Sequence, residues 1–403
     1  MDDRSLIYSA AFVRALATGM MGVLLGIYLA TLALDAHVIG VVIALGLAGA
    51  AAGTTLVTFF GDRFGHRRAL LLVTASSVAG AVLLAICSHP FALGSAAFIG
   101  MVNGMGRDRG AALVLEQGAL PATVSDQQRT LTFARYNVLQ DAGHALGSLL
   151  AAAPALFAHA GFAAPQAHRA AVWIYAALSF LPLLAYARLS PAIESRHVEL
   201  TRRVTPQTRA TLTRICALFG IDAIAGGFLT TALLSFFFYE RFGVDVASIG
   251  LLFFAARLAN AGSHLAAAWL ARRIGLVNTM VFTHIPSSVL LLTVPFMPNF
   301  PAAALLFLLR ESLVEMDVPT RQSYVMAVVR PEERTFASGV THLVRLAGWA
   351  AAPAFAGMLM HGRSLAVPLY VGAGMKIAYD LLLWRAFRKV RPPEERSSEA
   401  KLQ

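Results

Sequence analysis

Apolar residues in this chain run in unbroken stretches of about twenty, among them Val38–Phe60, Ala69–Cys87, Val172–Leu189 and Val277–Phe296. Roughly twenty residues of helix cross the ~30 Å apolar core of a bilayer. Lipid offers the backbone no hydrogen-bond partners, so such stretches form helices or closed barrels. A barrel strand alternates apolar with polar residues; these stretches are continuous, which selects helices. The pattern predicts twelve spans: 6–33, 38–60, 69–87, 91–120, 131–157, 170–189, 213–239, 246–270, 276–296, 300–328, 335–360 and 364–387.

The polar residues between the spans set an order. The longest polar stretch before the tail, 190–212, leaves six spans on each side. The predicted organisation is an N-terminal six-helix bundle over 1–189, a cytoplasmic linker over 190–212, a second bundle over 213–389 and a disordered tail over 390–403. A weak internal repeat supports two similar bundles. Ser125-Asp-Gln-Gln-Arg-Thr130 matches Arg330-Pro-Glu-Glu-Arg-Thr335, and Glu116-Gln117 stands opposite Arg321-Gln322. Asp62-Arg63-Phe64-Gly65 likewise stands opposite Arg272-Arg273-Ile274-Gly275. The fold class is therefore an all-α membrane protein, twelve transmembrane helices in two pseudo-symmetric six-helix bundles. Repeats related by an axis along the membrane normal place a binding site between them, near the midplane.

Composition agrees: 57% of residues are hydrophobic and 14% charged, with a mean hydropathy of +0.65. A water-soluble surface has no use for that balance. The net charge of +11 suggests nucleic acid until its placement is read. With the N-terminus inside, the connections on that side carry Arg63, Arg67, Arg68, Arg129, Arg202, Arg203, Arg272, Arg273 and Arg330, and the tail adds more. The opposite connections carry only Arg169, Arg241 and Arg363. This asymmetry puts both termini in the cytoplasm of a bacterial inner membrane and assigns the basic excess to topology and anionic lipid. Cys87 and Cys216 fall in or beside apolar spans and give neither a disulfide framework nor metal-ligand spacing. The first apolar run exceeds a signal-peptide core and is read as an uncleaved span.

After the second span the chain reads Gly61-Asp62-Arg63-Phe64-Gly65-His66-Arg67-Arg68. This resembles the signature loop of the major facilitator superfamily: Gly, three residues, Asp-Arg, one residue, Gly-Arg-Arg. The family's first Gly falls at Thr58, and His66 replaces one basic residue. The resemblance extends over the whole chain in span number, division, loop position and orientation. It implies a transporter in which Asp62, Arg63, Gly65 and Arg67 gate the cytoplasmic side, Asp62 meeting the start of the eleventh span near 335–338. A carboxylate there stabilises a helix N-terminus by roughly 0.3–2 kcal/mol. The plainer alternative is a basic cytoplasmic loop. Met316-Asp317-Val318-Pro319-Thr320-Arg321-Gln322 is similar to an Asp-x-Pro-x-Arg-Gln stretch of exporters in this superfamily, and Gly143-x-x-x-Gly147 to its antiporter glycine motif, with Ser148 in place of Pro.

Charges within apolar spans cost from ~2.5 to over 10 kcal/mol unless paired or hydrated. Here they gather on the fourth and tenth spans, which in this superfamily line the central cavity. Asp317 and Arg321 are spaced i,i+4 for pairing. Glu116 lies toward the cytoplasm, within expected reach of Arg63, Arg67 or Arg135. Glu116, Asp317 and Arg321 are read as structural or gating pairs. Lys376 and Asp380 repeat the i,i+4 spacing on a peripheral span. Arg14, Arg107, Asp108 and Arg310 are the candidate substrate contacts, the arginines suiting an anionic or carbonyl-bearing solute. Asp222 and Glu311 are the candidate proton-coupling carboxylates. A static salt-bridge network is the alternative for each.

The expected function is secondary active transport of a small solute by alternating access, as proton-coupled efflux of an organic compound. Proton-coupled uptake of a small anionic metabolite is the rival. No phosphate-binding glycine loop is present, so an ion gradient is the expected energy source. An intramembrane enzyme is the remote reading, since His144, His264, His284 and His342 are scattered with no catalytic or metal motif. The expected partners are the solute, protons and membrane lipids, in a monomer with no cofactor, metal or nucleic acid.

Overall fold

The computed structural model describes residues 2–107, 110–123, 129–193, 206–317, 321 and 334–387. Within these, the side chains of 60–64, 121–122, 129–131, 133–134, 192, 206–208, 264–265, 268, 272 and 334–339 lie outside the description. Helices account for the described secondary structure: α1 (Asp3–Thr31), α2 (Ala36–Phe64), α3 (His66–Ile86), α4 (Pro90–Gly100), α5 (Ala111–Ala119), α6 (Arg129–Leu150), α7 (Ala153–His159) and α8 (Ala164–Tyr186). They continue as α9 (Pro206–Phe228), α10 (Thr231–Phe242), α11 (Val246–Ile274), α12 (Leu276–Thr293), α13 (Phe300–Val314), α14 (Arg334–Gly362) and α15 (Val367–Phe387).

Among the described residues, eight segments are long and apolar enough to cross a membrane. The expected fourth, fifth, tenth and twelfth spans are not among these; they carry charges such as Glu116, Asp141, Arg310 and Asp380. Large apolar side chains such as Leu72, Phe91, Leu156 and Phe296 are left exposed. That outer surface suits lipid, since the bilayer removes the penalty for showing such groups. The chain is a multi-pass membrane protein.

Contacts divide the chain into two compact units. One gathers Met1–Val198, Leu229–Phe254 and Ala350–Val367; the other gathers Glu199–Phe228, Ala255–Trp349 and Pro368–Gln403. In the first, α1 is central and packs on α6, α8 and α10. The α1–α6 seam is built on small residues. A Cβ at Gly147 would stand 2.1 Å from the Leu16 carbonyl oxygen, and one at Gly19 would stand 2.3 Å from that of His144. Such close backbone approach is how helices associate where lipid supplies no hydrophobic drive. Leu6, Ile7, Leu70, Leu115, Tyr136 and Tyr186 fill the core of this unit. In the second unit Ile215, Phe219, Met280, Tyr379 and Leu383 do so.

The fourth span is not the single helix 91–120 that its apolar content predicts. Residues 101–107 leave the helix, for three reasons. Met101 adopts φ 51° and caps α4. Asn103 folds the loop on itself, its Oδ1 accepting from Met105 N at 2.8 Å and its Nδ2 donating to the Arg107 carbonyl at 2.6 Å. The start of α10 meets the freed carbonyls: Ala232 N donates to Gly104 O at 2.9 Å and Thr231 Oγ1 to Met105 O at 2.8 Å. Non-helical backbone at membrane depth persists where protein supplies such partners. The seventh span is also divided, because Thr230 caps α10 by accepting from Leu233 N at 3.2 Å.

Gly65 joins α2 to α3 at φ 83°, ψ 139°, and Gly275 joins α11 to α12 at φ 86°, ψ 164°. The two positions the repeat aligned share a conformation that a side chain adopts only under strain. The pseudo-symmetry of the fold is therefore visible in its turns.

Candidate functional site

Among the described residues, three groups gather intramembrane charges. In the first unit, Glu116 of α5 is wholly buried. Among the described residues it pairs with neither Arg67 nor Arg135, which its depth had suggested, and the side chain of Arg63 lies outside the description. Arg14 of α1 reaches it in a bidentate fork, Nη1 to Oε1 at 2.8 Å and Nη2 to Oε2 at 2.5 Å. The Tyr136 hydroxyl donates to Oε2 at 2.6 Å and the Tyr186 hydroxyl to Oε1 at 2.5 Å, while Tyr186 accepts from Arg14 at 2.6 Å. Helices α1, α5, α6 and α8 are thereby joined at one carboxylate. Arg14, expected at the substrate, is engaged here. Depth on separate helices carries no information about facing, which is why the pairing of Arg14 with Glu116 was not expected.

In the second unit Asp222 of α9 lies between two cations. Arg321 Nη1 donates to its Oδ2 at 3.0 Å and Lys376 Nζ to its Oδ1 at 2.9 Å. Arg321 also pairs with Asp317 at 2.9 Å, as the i,i+4 spacing predicted, and stands 5.3 Å from the Phe219 ring centre. Lys376 does not pair with Asp380, its i,i+4 neighbour. Its second contact is His284 Nε2 at 3.3 Å, and His284 Nδ1 meets Asp380 Oδ1 at 3.0 Å. Every member of this row is buried. Sequence reasoning set Lys376 and Asp380 aside as peripheral and His284 as isolated. The available signal was their coincidence: three ionisable residues on apolar spans with no other expected partner.

The third group, also in the second unit, holds Arg310 paired with its neighbour Glu311, and Asn260 Nδ2 donating to Glu311 Oε2 at 2.9 Å. Arg310 stands 5.7 Å from the Phe307 ring centre. The two residues were expected in separate roles and are held together.

Of the loop residues, Gly65 makes the turn described above. Arg67 Nη2 donates to the Ala187 carbonyl at 2.6 Å, at the C-terminal cap of α8. Asp62 and Arg63 lie in the last turn of α2, their side chains outside the description, and Asp108 lies outside the described residues. Arg107 lies in the loop between α4 and α5, rather than within a helix. Among the described residues no group of His, Cys, Asp and Glu is arranged to hold a metal.

The fold and the paired charges buried inside its bundles define a polytopic helical membrane protein. Comparison with known proteins gives the family. The model of the Major Facilitator Superfamily matches residues 7–314 and 215–403, and the chain belongs to that superfamily. It is 22% identical over 416 residues to an uncharacterised membrane protein of Saccharomyces cerevisiae, covering 94% of this chain and 93% of that one. Among solved structures, the nucleoside transporter NupG superposes with a TM-score of 0.76 at 16% identity, over 96% of this chain and 100% of that one. The human organic anion transporter MFSD10 gives 0.59 at 16% identity, over 94% and 98%. A POT family transporter in complex with a thioalcohol-conjugated peptide gives 0.71 at 12%, over 96% of each chain. Likeness at these identities establishes the fold.

Proposed function

We propose that this chain is a proton-coupled secondary transporter that exports a small organic compound by alternating access. In this reading Asp222 and Glu311 are the coupling carboxylates, and Arg14, Arg107, Asp108 and Arg310 contact the solute. Glu116, Asp317 and Arg321 are structural or gating pairs. The observation that carries the reading is Asp222, buried and shared by Arg321 and Lys376. A carboxylate whose cationic partners can leave exchanges a proton as they come and go. The gating contact of Asp62 and Arg63 beside Gly65 and Arg67, and the orientation with both termini in the cytoplasm of a bacterial plasma membrane, belong to the same proposal. The distribution of arginines supports that orientation. The chain works as a monomer surrounded by lipid.

Uptake of a small anion is the second reading, favoured by the arginines and by the likeness to a human organic anion transporter.

The test is reconstitution in liposomes holding a pH-sensitive dye, with an imposed proton gradient and a broad solute panel. Solute-dependent proton movement is expected, abolished by Asp222→Asn or Glu311→Gln. Solute flux without proton movement removes the coupling claim and leaves the carrier. The direction of net solute movement under the gradient decides between export and uptake.

A further inference from the structure

The row from Asp222 to Asp380 contains a proton site that the coupling carboxylates do not account for. Lys376 carries only donors when charged, so His284 Nε2, 3.3 Å from its Nζ, presents a lone pair. The ring proton then resides on Nδ1 and is donated to Asp380 Oδ1 at 3.0 Å. His284 is neutral in this arrangement. Both oxygens of Asp222 accept from cations. Asp380 differs: it is 0% exposed, and among the described residues its Oδ2 accepts no hydrogen bond. A buried carboxylate oxygen with no donor is costly. One proton on Oδ2 removes that penalty.

We propose that His284 and Asp380 form a proton-binding site between α12 and α15, and that Lys376 is the switch that reads it, alternating between Asp222 and Asp380. The structure shows Lys376 on Asp222, the state to which the proposal assigns a proton on Asp380 Oδ2. In the other, the Oδ2–H bond breaks, its proton leaves to water, and Lys376 turns to the freed Asp380 carboxylate while Asp222 keeps Arg321. The move is short because Lys376 and Asp380 lie one turn apart on α15. Arg321 stays with Asp317 throughout. The other groups facing the site are Tyr379, whose ring meets that of His284 edge-on at 6.4 Å, and Arg345 of α14, which stacks on Trp349 at 4.6 Å. The proposal rests on the proton-coupled reading for its role in transport, while the site itself is read without a solute.

The experiment is pH-difference infrared spectroscopy of the full chain in lipid vesicles, following the C=O stretch of protonated carboxyl groups. A titrating band is expected in the wild type, lost in Asp380→Asn and displaced in frequency in His284→Gln, which loses the Nδ1–H donor. A band retained in full by a folded Asp380→Asn, or the absence of any such band in the wild type, overturns the proposal. If Asp380→Asn does not fold, an unmoved band in His284→Gln overturns it instead. Loss of solute-driven proton movement with the band intact fails the transport reading and leaves the proton site standing.

Discussion

The two units bury charge in opposite ways. Around Glu116 one carboxylate meets one guanidinium and two phenols, and both of its oxygens are doubly served. Around Asp222 three carboxylates, two cations and a histidine form an open row in which Lys376 already divides its contacts and one end is unsatisfied. A closed set has a single good arrangement and acts as a lock joining four helices. An open row can take a second arrangement, the condition for a switch that a ligand or proton can bias. On the proposed reading the same element, a buried ion pair, is structural in one unit and responsive in the other.

The largest expected effect breaks the lock. Glu116→Ala removes the carboxylate from a buried pair and leaves the Arg14 guanidinium without it, which costs about 3–5 kcal/mol. Thermal unfolding in detergent reads this as a large fall in Tm. The double variant Arg14→Met, Glu116→Met recovers most of the loss, because apolar replacement removes both desolvation penalties together. A single variant with unchanged Tm would remove the distinction between the units. The corresponding change in the row is milder. Asp317→Asn takes one carboxylate from Arg321, which keeps Asp222 at 3.0 Å. The cost is about 1.5–3 kcal/mol, the scale of one hydrogen bond to a charged group. Tm should fall less than in Glu116→Ala, and a larger fall would mean that the row is locked as well.

The sequence made the helical class, the family and the turn at Gly65 legible, because each rests on local information: run length, a loop pattern, a glycine between two helices. The pairing of Asp317 with Arg321 was legible for the same reason, since i,i+4 spacing is geometry within one helix. What could not be read were partners on different helices. Glu116 with Arg14 and Asp222 with Lys376 depend on how helices rotate about their axes, which no spacing within a span records. The break at 101–107 was hidden too. It depends on Asn103 bonding its own loop and on Thr231, far along the chain, meeting Met105. An apolar run predicts a helix and carries no trace of such a partner.

The smallest expected effect sharpens the comparison by asking whether the units also differ where the sequence says they are alike. Gly65 and Gly275 hold φ of 83° and 86° at equivalent turns, so Gly65→Ala and Gly275→Ala each place a Cβ in a conformation costing about 1–3 kcal/mol. If both turns serve only to reverse the chain, the two variants lose similar stability in thermal unfolding and transport falls with neither. If the loop at Gly65 gates the cytoplasmic side while that at Gly275 does not, the Tm shifts still match, but solute flux in liposomes falls in Gly65→Ala alone. Equal Tm with unequal flux assigns the gate to the first unit. Equal Tm with equal flux makes both glycines elements of the fold and moves the search for the gate to the switchable row around Asp222.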